Sequence, residues 1–111
     1  VAPEAAEREV LKQAILSLLG LAQRSGALRM GATAVTRAMR EERPGVVFLA
    51  RDAGQDLAGK LERALDRSVL VADLFGADEL ATRFGRERLS VVSVHETGFV
   101  DGLKRYLSDT R

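Results

Sequence analysis

The run Val46-Val47-Phe48-Leu49-Ala50 constrains this chain more than any other feature. It is apolar at every position and carries β-branched residues, the pattern of a central strand buried on both faces. Helices are legible on either side of it. Glu4 to Arg24 carries Val10, Leu11, Ala14, Ile15, Leu18, Leu19 and Ala22 at three-to-four spacing, which predicts a helix that Ser25-Gly26 ends. Ala27 to Met30 reads as a short extended piece, and Gly31 to Glu41 as a second helix with Val35, Ala38 and Met39 facing inward. Arg43-Pro44-Gly45 is a turn. After the central run, Asp52 to Gly54 caps a helix over Gln55 to Leu65, and Ser68 to Ala72 reads as another buried strand. Ala77 to Phe84 is a short helix closed by Gly85, Ser90 to His95 alternates as a strand, and Gly98 to Ser108 is a final helix. Helices and strands alternate along the whole chain. That order predicts an α/β protein, a three-layer α/β/α sandwich around a small sheet.

The chain is long enough for one compact domain with a real core: 46% of its 111 residues are hydrophobic. Residues 10–111 read as that domain, and residues 1–9 as a linker or helix lead-in. The absence of cysteine excludes disulfides and thiolate metal sites and fits a reducing compartment. The longest apolar stretch, Ala14 to Ala22, is broken by Ser17 and Gly20 and is too short to span a membrane. His95 is the only histidine and reads as a strand-end polar residue, not a metal ligand. No serine sits in a nucleophile elbow, and the Gly26 to Gly31 spacing lacks the dinucleotide fingerprint. The pairs Glu41-Glu42 and Asp78-Glu79 read as solvated helix faces. Nothing in the chain argues for an enzyme, and the expectation is a cytoplasmic, monomeric, noncatalytic protein without a cofactor.

One segment stands out for binding. In Leu28 to Arg40 a glycine, Gly31, opens a helix, and Arg29, Arg37 and Arg40 stand before it, inside it and at its end. A helix N-terminus presents unpaired N–H groups and partial positive charge, so arginines beside it make a seat for phosphate. The net charge is only +1, so a nucleic-acid surface requires basic residues gathered on one face. Arg24, Arg29, Arg37, Arg40, Arg43 and Arg51 form one cluster along the chain, and Arg83, Arg86 and Arg88 a second. In a sandwich of this order the two can frame one surface. The aromatic residues are Phe48, Phe75, Phe84, Phe99 and Tyr106, mostly at apolar positions, which argues against a stacking platform for single strands. Shape and backbone readout of structured RNA fits better, and it would be salt-dependent.

The series Leu18 to Gly26, Gly31 to Met39, Val46 to Ala53 and Leu80 to Gly85 resembles the kink-turn-binding ribosomal protein superfamily, the L-seven-Ae and L-thirty-e group. It is similar in particular to the bacterial YlxQ-like members, over about residues 10 to 107. The resemblance implies a sandwich with a mixed four-stranded sheet and RNA contacts at one end. Those contacts map to Gly31, Ala32, Thr33, Ala34 and Arg37, then to Arg51 and Asp52, then to Arg88, Leu89, Ser90, Val91 and Val92, where Leu89 to Val92 would pack against an extruded base. Arg29 and Arg40 complete the candidate set. The Asn-Glu pair that family members use on sheared G·A pairs is replaced here by Thr33 and Ala34. The linker-like start resembles an arrangement in which a YlxQ-like domain follows a small YlxR-like domain tied to transcription termination. A module that docks proteins of the transcription or translation machinery, or the RNA-recruiting domain of an RNA-modifying enzyme, remains an alternative.

Overall fold

The computed structural model describes residues 3–110. Its elements are α1 (Pro3–Arg24), β1 (Leu28–Met30), α2 (Ala32–Glu41), β2 (Val46–Leu49), α3 (Gln55–Ala64), β3 (Leu70–Val71), α4 (Ala77–Phe84), β4 (Val91–Val94) and α5 (Thr97–Thr110). The order is the one the sequence predicts. The first two residues of the lead-in segment lie outside the described residues, and residues 3–9 of it are helical, continuous with α1.

The four strands form one mixed sheet in the order β1-β4-β2-β3. β4 runs antiparallel to both β1 and β2, and β3 runs parallel to β2. The all-apolar run of β2 sits in the interior of the sheet, between β4 and β3, as its composition requires. Alternation then sends its side chains to opposite faces. Val46 and Phe48 join Ile15 and Leu19 of α1, Leu80 and Phe84 of α4, and Leu103 and Leu107 of α5. Val47 and Leu49 join Val35 of α2 and Leu61 of α3 on the other side. Three helices cover one face and two the other, so the three-layer sandwich holds.

Phe48 packs against Phe75 with ring centroids 5.7 Å apart and the planes tilted by 59°. Burying a ring of that size contributes about 1.5–3 kcal/mol.

The strand expected over Ser68 to Ala72 is shorter in the structure. Ser68 and Val69 instead fold into a turn on Asp66, whose carbonyl accepts from the Val69 and Leu70 N–H groups at 2.9 and 3.0 Å. The Asp66 side chain accepts from the Ser68 N–H at 3.2 Å. A local acceptor thus takes the N–H groups of this segment, while the Val69 carbonyl still accepts from the Val47 N–H of β2 at 2.8 Å.

Candidate nucleic-acid interface

Because β4 is antiparallel to β1 and β2, the C-terminal ends of β1, β2 and β3 meet the N-terminal end of β4 at one edge of the sandwich. Four segments converge there: the start of α2, the loop after β2, the start of α4 and the loop before β4. Hydrogen bonds stitch them in sequence. The Gly31 N–H donates to the Val91 carbonyl at 2.9 Å, and the Ala50 N–H to the Ser90 carbonyl at 2.7 Å. The Arg51 N–H donates to the Phe75 carbonyl at 2.9 Å, and the Ala77 N–H to an Asp52 carboxylate oxygen at 2.8 Å. No helix among the described residues is long and apolar enough to cross a membrane.

Gly31 is the N-cap of α2, with φ 91° and ψ 158°. A side chain there would be strained, so glycine is required by the backbone itself. The Gly31 carbonyl accepts from Val35. The N–H groups of Ala32, Thr33 and Ala34 have no partner among the described residues, and the first turn of α2 holds no acidic side chain. This is an uncompensated helix N-terminus facing solvent. Thr33, Arg37 and Arg40 lie four and three residues apart and are exposed, so they form one outward stripe along α2. The Arg37 side chain makes no hydrogen bond or ion pair with the described residues.

The structure distributes the other candidates unevenly. Arg29 does not reach the start of α2. Its guanidinium donates to the Gly26 carbonyl at 2.9 Å and lies 4.0 Å from Glu42, at the opposite end of that helix. Arg40 is in the last turn of α2, some 12 Å along the axis from Ala32 at the standard rise per residue. It lines a cleft of about 420 Å³ with Arg43 and Asp66. The first arginine cluster therefore splits between the two ends of the sandwich. Arg51 and Arg88 do share one end, joined through the Ala50–Ser90 hydrogen bond. Arg88 is exposed, and Ser90 half-buried.

The apolar contact expected of the loop before β4 needs correction. Leu89 is 2% exposed, and Val91 and Val92 are 0% exposed. Leu89 and Val92 belong to the core on the α1 side and Val91 to the core on the α2 side. Their side chains fill the sandwich, and what the segment presents outward is Arg86, Glu87, Arg88 and backbone.

Of the two acidic pairs read as solvated, Glu41, Glu42 and Asp78 are exposed, while Glu79 is half-buried and Glu42 also faces a fold partner. Glu79 accepts from the Gly76 N–H at 3.0 Å and from Arg51 at 3.3 Å, and its other oxygen lies 2.9 Å from the Lys12 ammonium. Burial pushes its carboxyl up, but the Gly76 N–H, Lys12 and Arg51 outweigh that and hold it below the usual carboxylate range. An acid three residues after a helix-opening glycine is a sequence signal for such a cap. Nothing local in the sequence announces Lys12, which arrives from α1. Glu42 likewise stands 3.5 Å from Nδ1 of His95, whose side chain is only 5% exposed and whose Nε2 bonds the buried Ser93 hydroxyl at 2.9 Å. Burial lowers the His95 pKa, Glu42 opposes it, Arg29 adds to it and the Arg43 backbone opposes it, with a net downward shift.

The arrangement defines a small α/β/α domain with an open helix N-terminus and exposed arginines at one end of its sheet. The chain belongs to the ribosomal protein L7Ae/L30e/S12e/Gadd45 family, whose model matches residues 13–102, from α1 into α5. It is 28% identical over 97 residues to the RNA-binding protein YlxQ of Enterococcus faecium, which covers 86% of this chain and 93% of that protein. The resemblance read from the sequence segments is thereby borne out. No solved structure matches the chain significantly.

Proposed function

We propose that this chain is a noncatalytic RNA-binding domain that grips structured RNA with the start of α2. The observation that carries the reading is the contrast inside α2 itself. Three N–H groups of its first turn are unpaired among the described residues, with no acid beside them and the unpartnered Arg37 further along the same helix. Phosphate is the ligand such a group recognises. Membership of a ribosomal-protein family and similarity to a protein named for RNA binding support the same class of partner.

In this reading Gly31 opens the helix with its own N–H spent on Val91, Ala32, Thr33 and Ala34 offer backbone donors, Arg37 a bidentate fork, and Arg51, Arg88 and the Ser90 backbone a flank across the sheet end. Leu89 and Val91 support that flank from beneath. Arg29 and Arg40 lie away from the α2 N-terminus and act, if at all, on RNA that runs the length of the helix. The physiological setting is the bacterial transcription or translation machinery, in the cytoplasm, with the protein acting as a monomer.

The test is a titration of the protein against a kink-turn RNA and a plain duplex at two salt concentrations. Salt-sensitive binding to either supports the reading, and preference for the kink-turn means Thr33 and Arg37 suffice despite Ala34. No binding to either overturns it in favour of a protein-docking module.

A further inference from the structure

We infer that Glu79, braced by Lys12, is a positioning residue that holds Arg51 ready for an RNA phosphate; the inference rests on the RNA-binding reading. Arg51 follows β2 directly, and its backbone is pinned by the bond from its N–H to Phe75. Its guanidinium is then held from two sides, by the Leu74 carbonyl at 3.4 Å and by Glu79 at 3.3 Å. It lies across Gly76, where an added Cβ would come within 3.3 Å of Nη2. A larger residue at 76 would press on the arginine. Yet the side chain remains 53% exposed, and a guanidinium has five N–H donors, of which these contacts use two. Donors thus remain on a half-exposed side chain at the same sheet end as Arg88.

The brace explains how an acid can stand at an anion-binding surface without spoiling it. Lys12 is only 13% exposed, lies 5.8 Å from the centre of the Phe75 ring and contacts Glu79 at 2.9 Å. Its charge offsets that of Glu79. Lys12 also lies 3.8 Å from the exposed Glu9, but it is the nearer Glu79 that it shares with Arg51, so Glu79 does not act on Arg51 as a lone negative charge. A loose arginine gives up rotamer freedom when it clamps a phosphate, whereas one already held gives up little. An ion pair whose only task is surface stability would contribute almost nothing here.

Removing a carboxylate beside an RNA site ordinarily tightens binding, and removing a brace loosens it, so the sign decides. RNA affinity is measured for the intact protein and for Glu79→Gln, Arg51→Ala, the double variant and Asp78→Asn. Asp78 is the exposed neighbour and serves as the charge control. Asp78→Asn is expected to bind as well as or better than the parent. Glu79→Gln is expected to bind about twofold to tenfold more weakly, the scale of one immobilised side chain. In the Arg51→Ala background it should have no further effect. Tighter binding by Glu79→Gln, or an equal loss in both backgrounds, overturns the inference. If Glu79→Gln melts early, Lys12→Met decides the matter through Arg51: it is expected to weaken binding in the parent and to have no further effect in the Arg51→Ala background, whereas an equal loss in both backgrounds is a charge effect and overturns the inference. If the parent protein binds no RNA, the functional reading itself has failed, and that result is separable from every variant.

Discussion

The starts of α2 and α4 open on the same end of the sandwich, each after a strand and each at a glycine N-cap without a side-chain cap of its own, and they have opposite fates. At α4 the chain closes its own helix. Glu79 takes the Gly76 N–H, Asp52 takes the Ala77 N–H, and Asp78 and Glu79 place negative charge in the first turn. At α2 the Gly31 N–H is taken by Val91, and the next three are left to solvent with no acid near. The helix dipole is the same in both. What differs is whether the protein supplies the anion or waits for one. A helix N-terminus is therefore informative about binding only when the surrounding structure has declined to satisfy it.

The comparison can be broken most strongly at Arg37. Arg37→Ala should weaken RNA binding by about 1–3 kcal/mol, the scale of one good bidentate contact, with no change in melting temperature, in a fluorescence titration paired with a thermal melt. A stability loss with unaltered affinity would place the arginine in the fold instead. Next come the two glycines. Gly31→Ala forces a side chain into φ 91° and should cost about 1–2 kcal/mol in a urea titration. Gly76→Ala, at φ −85°, should leave stability nearly untouched and disturb only Arg51, seen as weaker RNA binding. Asp52→Ala removes the cap that α4 has and α2 lacks, and should cost about 0.5–2 kcal/mol of stability.

The smallest effects are those of pH. Glu79 is depressed below its ordinary value of 4.5, so its stabilisation is present above that pH and fades as acid titrates the folded carboxyl. Glu79→Gln should flatten the acid limb of a stability-pH curve, and an unchanged limb would argue against the cap at α4. His95 is depressed below 6.5, so the folded state prefers it neutral. Stability should decline as pH falls from 6.5 toward the folded value, and His95→Gln should remove that slope. This second slope reports on the far end of α2, beside Glu42 and Arg29, and should leave RNA binding at neutral pH alone.

Much of the fold was legible in advance because its signals are local. The apolar run of β2 specified a strand buried on both faces, and three-to-four spacing specified α1 and α2. The strands came out shorter than expected, β3 most of all, since the Asp66 turn engages Ser68 and Val69 through contacts two and three residues away. Gly31 as the opening of α2 was also legible, because a glycine before a helix without acids is a local statement. Leu89, Val91 and Val92 were misjudged for a related reason. Apolar residues beside a loop look the same whether they face a ligand or the core, and only the packing of α1 and α2 against β4 separates the two.

The sequence by itself determined the elements, their order, the layers and the family. Tertiary structure alone decided which arginines stand where an anion would bind. An arginine head rides on a long flexible stem and settles on whatever acceptor lies within reach. For Arg29 that acceptor is Gly26 and Glu42, for Arg51 it is Leu74 and Glu79, and for Arg37 the described residues hold none. Those acceptors come from distant parts of the chain, so the charges were visible in the sequence while their directions were not.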